Sequence, residues 1–394
     1  MPTGFHLLIA AQFTSALADN ALLIVTIALL QEQGWSGWWA PLLKFALTLS
    51  YVVLAPVVGP LADAVPKARL MAWMNGIKTL GVLALFAEAH PAVAFAIVGL
   101  GAAGYAPAKY GLVTEMVDAG RLVVANSWIE VSIVCAVLFG TVLGGGLVNE
   151  ALRASAVAET GAAWLAALGL PLSSTLCSSL LLLLLLYGLA ALLQLGVPDS
   201  RVRYARRAIH LRALLGDFVQ GNRLLWRDRE GGLSLAVTTL FWGVGATLQF
   251  AVLRWALDSL GLPLEQAAYL QAVVAVGVVV GAAIAGRFVA LRDAQRVLPA
   301  GVALGLLIAV VALADGLLWA MPALALVGAV GGVLVVPMNA LLQHRGCQLL
   351  TAGRSIAVQG YNENLSILAM LAVYAGLLAL DVPVVPLLVG FGLA

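Results

Sequence analysis

The chain alternates long apolar stretches with short breaks that carry charged residues or glycine and proline. A stretch of about 18 to 20 residues with few charges can cross the roughly 30 Å hydrocarbon core of a bilayer as a helix. Val382 to Ala394 is an apolar piece that would cover only about 20 Å as a helix, so we expect a truncated twelfth helix. The other apolar stretches predict spanning helices over residues 6–30, 38–61, 70–88, 91–116, 123–147, 172–195, 233–257, 267–290, 297–314, 318–342 and 355–379.

Composition agrees with this pattern. Of the 394 residues, 62% are hydrophobic and only 10% are charged, whereas a soluble domain is about a quarter charged. The predicted fold class is therefore all-α and integral to a membrane. We expect no nucleic-acid partner.

The basic residues predict the orientation of the helices. Lysines and arginines concentrate in the loops on the side of the N-terminus, while Arg153 and Arg254 alone fall on the other side. Because basic loops stay in the cytoplasm, we predict a cytoplasmic N-terminus. The Arg-rich segment 197–232 is predicted to be a cytoplasmic linker between two helical bundles, residues 1–196 and 233–394. Its pattern favours an amphipathic segment on anionic lipid, and a regulatory or partner-docking role is the alternative.

The two predicted halves repeat each other. The stretch AGRLVVANSWIE, Ala119 to Glu130, aligns without a gap with AGRSIAVQGYNE, Ala352 to Glu363. Two parallel six-helix repeats joined by a long cytoplasmic loop resemble the major facilitator architecture. The loop GPLADAVPKAR resembles the pattern that this superfamily carries between its second and third helices, with Pro66 where a glycine is usual. The matching residues are Gly59, Leu61, Asp63, Lys67 and Arg69.

Ionisable residues inside apolar spans are the main candidates for function, because a charge in hydrocarbon is costly unless it is paired or hydrated. Only four basic residues are lysines, and three of them, Lys44, Lys78 and Lys109, fall inside predicted spans. Helical spacing puts several polar residues on common faces. These faces comprise Gln12, Ser15, Asp19 and Thr26 in the first span, Asn75 and Lys78 in the third, Asn126 and Glu130 in the fifth, and Gln359, Glu363 and Ser366 in the eleventh.

Several ionisable residues in or beside the spans have a structural alternative. Lys44 is expected to extend towards the outer surface, and Glu130 and Glu363 could brace the two halves instead of binding a ligand. Asp63 and Glu115 sit at cytoplasmic helix ends, where we expect gate salt bridges with Lys67 or Arg121. The predicted gate also includes Arg69 and Arg354.

A cavity with buried charges of both signs suits a zwitterionic or amphiphilic solute. One alternative is a proton-coupled exporter of a small amphiphilic solute, with Asp19 or Glu130 as the proton carrier. An acyltransferase would need a histidine paired with an acid. No histidine in the chain is followed by Asp or Glu within five residues, so we expect no enzyme and no catalytic residue. We also expect no metal and no cofactor.

Five stretches together resemble the lysophospholipid transporters of the bacterial inner membrane: AQFTSALADNALLI, GAAGYAPAKYGLVTEM, FWGVGATLQF, VVPMNALLQHRG and IAVQGYNEN. The resemblance implies transport of lysophosphatidylethanolamine and related lysolipids from the outer to the inner leaflet. It also implies reacylation by a cytoplasmic acyltransferase/acyl-carrier-protein synthetase. Carried over by motif, Asp19, Asn20 and Lys109 lie in the polar cavity of that family.

The chain departs from the family at two of these positions. The family often has Arg where Gln249 stands and Glu where His344 stands, so a charged pair is replaced by a neutral or weakly titrating one. Asn339, in the same stretch as His344, is a further candidate contact. We predict that Lys109 meets the lipid phosphodiester and that Asp19 attracts the ethanolamine ammonium group or a coupling cation. Pro107 would loosen the fourth helix beside Lys109.

Overall fold

A computed structural model describes residues 3–35, 39–149, 155, 160, 163, 176–204, 210–262, 264–314 and 316–393. Some predictions fall outside these ranges: the beginning of the sixth span, residues 172–175, and the loop residues Arg153, Arg206 and Arg207.

Every predicted span coincides with a helix in the part of the chain that the structure describes. The long central linker contains one additional helix, Leu211–Arg227, which is labelled α7. Two short 3₁₀ segments, Ala119–Arg121 and Leu291–Val297, precede α5 and α10. The helices are α1 Thr3–Glu32, α2 Trp39–Ala64, α3 Lys67–Phe86, α4 Pro91–Met116, α5 Leu122–Leu147, α6 Cys177–Leu195, α7 Leu211–Arg227, α8 Arg229–Asp258, α9 Leu264–Phe288, α10 Leu298–Ala312, α11 Leu317–Leu349, α12 Ala352–Ala379 and α13 Val384–Leu393.

Among the described residues, ten helices are long and apolar enough to cross a membrane: α1, α2, α4, α5, α6, α8, α9, α10, α11 and α12. The helix α3 is not among them, and it carries Lys67, Arg69 and Lys78 within 20 residues. The predicted last piece forms α13, which has ten residues. The all-α membrane class is therefore confirmed.

The described chain packs into two compact units, each built from separate stretches. Unit 1 comprises Met1–Met116, Cys135–Val219 and Thr351–Gly360. Unit 2 comprises Val117–Val134, Gln220–Leu350 and Tyr361–Ala394. The first turns of α12 thus belong to unit 1, and the first half of α5 belongs to unit 2. The predicted sequence boundaries after residues 196 and 232 stay a prediction.

In unit 1 the helices α1, α3, α4 and α6 share an apolar core that includes Leu22, Phe86, Phe95 and Leu183. The helices α3 and α4 approach closely because α4 carries glycine at the contact. A Cβ atom at Gly101 would lie 2.7 Å from the carbonyl oxygen of Met74. This packing holds the α3 face that carries Asn75 and Lys78 inside the helix bundle.

In unit 2 the helices α9 and α11 pack closely, and each of the two contributes a Gly-x-x-x-Gly pattern, Gly277 to Gly281 and Gly328 to Gly332. A Cβ atom at Gly281 would clash with the carbonyl oxygen of Ala329, and one at Gly328 would clash with that of Val274. Small residues at this spacing let helix backbones touch in a membrane.

Candidate functional site

Three helices of unit 1 bring an ion pair together. The Lys78 Nζ atom on α3 lies 2.7 Å from the Asp19 Oδ2 atom on α1. The Tyr187 hydroxyl on α6 donates a hydrogen bond of 2.7 Å to the other carboxylate oxygen of Asp19. Lys78 also donates to the Ser15 hydroxyl at 3.0 Å, and that hydroxyl donates to Asn75 Oδ1 at 2.8 Å. We call Ser15, Asp19, Asn75, Lys78 and Tyr187 the Lys78 cluster.

The two charged members of the Lys78 cluster differ in exposure. The Lys78 side chain is 2% exposed, whereas that of Asp19 is 25% exposed. The Lys78 ammonium group also lies 5.0 Å from the centroid of the Tyr105 ring, within the range of a cation–π interaction. Lysine is therefore the enclosed partner, and the carboxylate is the member that a solute can reach.

Lys109 lies near a different part of α1. Its Nζ atom is 3.5 Å from Gln12 Oε1 and 4.3 Å from the centroid of the Tyr110 ring. Gln12 and Asp19 are seven residues apart, roughly 10 Å along the helix axis. The structure therefore places Lys109 two turns from the ion pair. Asn20 is half-buried, and its amide donates to the carbonyl oxygen of Ala16 at 2.8 Å.

The remaining predicted ligand contacts belong to unit 2. Glu130 on α5 and Asn339 on α11 are buried, 5% exposed in each case. Glu363 on α12 is half-buried, and Gln249 on α8 is exposed. The backbone oxygen of Gln249 accepts a hydrogen bond of 2.9 Å from the Gln271 side chain.

A second set of charges in unit 1 surrounds the beginning of α12. Asp63, at the end of α2, accepts hydrogen bonds from the backbone N–H groups of Gly353 and Arg354, at 2.8 and 3.3 Å. It also accepts one from the Thr351 hydroxyl. Lys67 Nζ lies 3.6 Å from Asp63 and 2.6 Å from Glu115, at the end of α4. We call Asp63, Lys67 and Glu115 the charged cluster.

The charged cluster answers the question of which basic residue pairs with Asp63 and Glu115. Lys67 is the partner of both, and Arg121 lies exposed in its 3₁₀ segment. Arg69 is also exposed. The Arg354 side chain donates to the backbone oxygen of Asp217 at 3.2 Å.

Unit 2 contains a neutral contact that the sequence reasoning missed. Asn126 on α5 and Gln343 on α11 exchange two side-chain hydrogen bonds, each 2.9 Å long. Both side chains are buried, at 4% and 1% exposure. Beside them the Ser127 hydroxyl donates to the Ala282 carbonyl on α9 at 2.7 Å. We call Asn126 and Gln343 the amide pair. The sequence marks Asn126 as a polar residue in an apolar span, but it does not show that Gln343 is its hydrogen-bonding partner.

Unit 2 also contains a charged contact that was not predicted. Arg345 at the end of α11 binds Asp228 with two hydrogen bonds, 3.2 Å from Nε and 2.6 Å from a terminal nitrogen. Asp228 simultaneously caps α8 by accepting from the Gly231 N–H at 2.7 Å. The donated Arg345 bonds hold the pKa of the Asp228 carboxyl below its ordinary value.

The chain belongs to the Major Facilitator Superfamily, whose family model matches residues 8–349. The solved structures that resemble it show the same fold. The Escherichia coli fucose:proton symporter matches with a TM-score of 0.76 at 15% identity, covering 99% of this chain and 95% of the symporter. The human organic anion transporter MFSD10 matches with a TM-score of 0.73 at 14% identity, covering 100% and 98%.

Sequence relatives are far more similar than these structural neighbours. The protein named lysophospholipid transporter LplT from Yersinia pestis strain Pestoides F is 40% identical over 378 residues, 96% of this chain and 87% of the relative. The protein of the same name from Yersinia pseudotuberculosis serotype O:3 strain YPIII matches with the same values. The resemblance to the bacterial lysophospholipid transporters is therefore confirmed over nearly the whole chain. The chain is a multi-pass membrane protein of a transporter family.

Proposed function

We propose that this protein transports lysophospholipids, such as lysophosphatidylethanolamine, from the outer to the inner leaflet of the bacterial inner membrane. The observation that carries the proposal is the Lys78 cluster, a buried ion pair between helices with an accessible carboxylate, together with Lys109 two turns away. A solute matched to these groups carries charge of both signs. The name borne by relatives that are 40% identical supports a lysolipid as that solute.

The spacing of the two positions suits a lysophospholipid head group. Lys109 would bind the phosphodiester as a point charge, and the accessible oxygen face of Asp19 would meet the ammonium end. Gln12, which Lys109 contacts on α1, and Asp19 are separated by a rise of roughly 10 Å along the helix axis. A head group whose phosphate and ammonium are joined by a two-carbon arm would make one charge-assisted contact at each of the two positions.

The charged cluster and the amide pair supply the proposed gate. Asp63 satisfies backbone N–H groups at the beginning of α12, where a helix favours negative charge. Asn126 holds α5 against α11. Each contact joins a helix of the first predicted half to a helix of the second. Opening of the cytoplasmic side would therefore require both contacts to separate, with Lys67, Arg69, Arg121, Glu115 and Arg354 as the charged residues of that side.

The membrane topology is part of the same proposal. The N-terminus lies in the cytoplasm, and the basic residues of the linker face the same compartment. Delivered lysolipid would be reacylated there by a separate acyltransferase/acyl-carrier-protein synthetase. The protein itself would carry out no chemistry and need no cofactor.

The first test is transport of a lysophosphatidylethanolamine labelled on its acyl chain, in proteoliposomes without an ion gradient. The protein is expected to move the lipid from the outer leaflet, where albumin extracts it, to the inner leaflet, where it is protected. Lys109→Ala and Asp19→Asn should each reduce the initial rate at least tenfold, since each removes one of two charge-assisted contacts.

Lys44→Ala is the matched control, because Lys44 is an exposed lysine within a span and lies outside the proposed site. Its rate should equal that of the unchanged protein. If folded protein moves no lysolipid, the proposal is wrong. Flux of a soluble amphiphile that requires a pH gradient would then favour proton-coupled export.

A further inference from the structure

One side of α7 is identified as the membrane side by its contact with α12. The Asn362 amide donates to Asn222 Oδ1 at 2.8 Å, and the Asn362 oxygen accepts from Trp226 Nε1 at 3.1 Å. Asn362 lies roughly 15 Å along α12 from Ala352, the first residue of that helix. Because α12 is one of the helices that can cross a membrane, Asn222 and Trp226 point towards the membrane.

The same side of α7 carries exposed apolar residues in its first turns. Leu211, Leu215 and Val219 follow one another at every fourth position, and their side chains are 45% to 65% exposed. They lie within about 80° of one another around the helix axis, and Asn222 and Trp226 fall inside that arc. A helix side that faces water carries polar residues instead. We call Leu211, Leu215 and Val219 the apolar stripe.

Arginines border the apolar stripe along one edge. Arg212, Arg223 and Arg227 are exposed, and they lie about 20° to 80° beyond Val219 around the helix axis. Within the described part of the chain none of these three arginines forms an ion pair, whereas several other exposed arginines bind an acid three or four residues away. The one acid of α7 is Asp217, which is half-buried. The apolar stripe thus has a positively charged edge.

We propose that this surface of α7 binds the anionic lipid surface of the membrane that the protein spans. The apolar stripe lies at the boundary between head groups and acyl chains, and the three guanidinium groups contact lipid phosphates, as in an interfacial amphipathic helix. The sequence pattern predicted a lipid contact for the linker as a whole, and the structure narrows it to one side of α7. The binding does not depend on which solute the protein transports.

Lipid bound at this surface holds a helix that contacts the charged cluster through one residue. The Asp217 backbone oxygen of α7 accepts from the Arg354 side chain at 3.2 Å. The backbone N–H of the same Arg354 donates to Asp63 at 3.3 Å. The charge of the lipid therefore bears on a helix that lies next to Asp63.

The experiment measures hydrogen–deuterium exchange of the α7 backbone amides by mass spectrometry, in the full chain in lipid nanodiscs. One set of nanodiscs contains phosphatidylcholine alone, and the other contains about 40% phosphatidylglycerol, so that the surface charge is what changes. Each set is measured at about 0.1 M and at about 1 M salt, since the Debye length falls from about 10 Å to about 3 Å.

The variants separate the charged edge from the apolar stripe. The charge variant replaces the three bordering arginines: Arg212→Gln, Arg223→Gln and Arg227→Gln. Its matched control removes the same charge from exposed arginines outside α7: Arg287→Gln, Arg292→Gln and Arg296→Gln. The stripe variant combines Leu215→Ser with Val219→Ser, which leaves the charge unchanged.

In the unchanged protein, phosphatidylglycerol should slow exchange of α7 at least about tenfold at low salt, because each arginine near an anionic surface strengthens binding about fivefold. High salt should remove the slowing. The charge variant should exchange equally fast in both lipids, and the matched control should behave like the unchanged protein. The stripe variant should keep only part of the slowing.

Several results would overturn the inference. Equal exchange of α7 in the two lipids would exclude an anionic lipid contact, and this comparison needs no variant. Slowing that persists in the charge variant, or that is lost equally in the matched control, would exclude a role for the three arginines of α7. Slowing that requires added cytoplasmic protein in both lipids would assign the surface to a protein partner. A chain that moves no lysolipid should still show the lipid dependence, so this inference and the proposed function fail separately.

Discussion

The charged cluster of unit 1 and the amide pair of unit 2 both hold one helix against another, the first through charged groups and the second through neutral ones. The charged cluster ties the ends of α2 and α4 to the beginning of α12 through Asp63, Lys67 and Glu115. The amide pair ties α5 to α11 through two neutral hydrogen bonds. In both, the polar atoms are almost completely withdrawn from water.

The comparison teaches that the same burial has different consequences for charged and neutral groups. A buried ion whose partner is removed costs about 3–5 kcal/mol, because no counter-charge replaces the lost water. A buried neutral amide in the same situation costs about 1–3 kcal/mol. The charged cluster is therefore the more sensitive contact, although both hold one helix to another.

Lys67→Ala is expected to have the largest effect. It leaves Glu115 and Asp63, which are 3% and 8% exposed, without their shared cation. The free energy of unfolding should fall by about 3–5 kcal/mol, measured by thermal or denaturant unfolding in detergent. Combining Lys67→Met with Glu115→Gln should recover part of the loss, since it removes both partners of the closer pair. Equal stability of Lys67→Ala and the unchanged protein would contradict the prediction.

Asn126→Ala should have the next largest effect. Gln343, at 1% exposure, loses both side-chain hydrogen bonds. The expected loss is about 1–3 kcal/mol in the same unfolding measurement. Changing Asn126 and Gln343 together to leucine should be nearly neutral, because no buried polar group is left alone. A double variant as unstable as Asn126→Ala would show that the volume of the amides matters more than their hydrogen bonds.

Asp63→Asn tests the helix-terminus part of the charged cluster. The amide keeps one acceptor oxygen but cannot serve Thr351, Gly353 and Arg354 as the carboxylate does. The loss should be about 1 kcal/mol, typical of a helix cap. Asp118→Asn is the matched control, since the Asp118 side chain precedes the 3₁₀ segment without capping it. Equal losses in the two variants would exclude a capping role for Asp63.

The smallest effect is expected at a charged contact on the surface. Asp199 and Arg203 form an ion pair with 40% and 55% exposed side chains, so Asp199→Asn should change stability by less than about 0.5 kcal/mol. The hydrogen bond that Arg203 donates lowers the pKa of Asp199 from 3.8 to about 2. The pKa of Asp199 is lower in the folded state than in the unfolded state. The ion pair therefore adds to the free energy of unfolding above pH 3.8, and this contribution disappears as the pH falls through about 2. A large loss of stability in Asp199→Asn at neutral pH would contradict the prediction that an exposed ion pair contributes little.

The sequence predicted the helices well because each apolar span is a local property. Composition and loop charges locate α1, α2, α4 and α5 within a few residues of their observed ends. The motif spacing also placed Asp63 and Lys67 at neighbouring positions, and the structure brings them to 3.6 Å.

The partners of the buried polar residues were harder to predict because they are distant in sequence. Tyr187 follows a run of leucines and was not among the predicted site residues, because only the packing of α6 against α1 directs its hydroxyl to Asp19. Asn126 and Gln343 are 217 residues apart. Lys78 and Lys109 are both lysines inside predicted spans, and the sequence alone could not tell that Lys78 is the counter-ion of Asp19.

The contact between α9 and α11 has a mechanical consequence. Their glycines bring backbone against backbone at Gly281 and Gly328, so no flexible side chain lies between the helices to absorb a displacement. Two helices joined in this way bend and tilt as one stiff rod. Gln343 and Arg345 lie towards the far end of that rod. Any force applied through the amide pair is therefore transmitted along both helices. A single methyl group added at either glycine would increase the distance between the two helices.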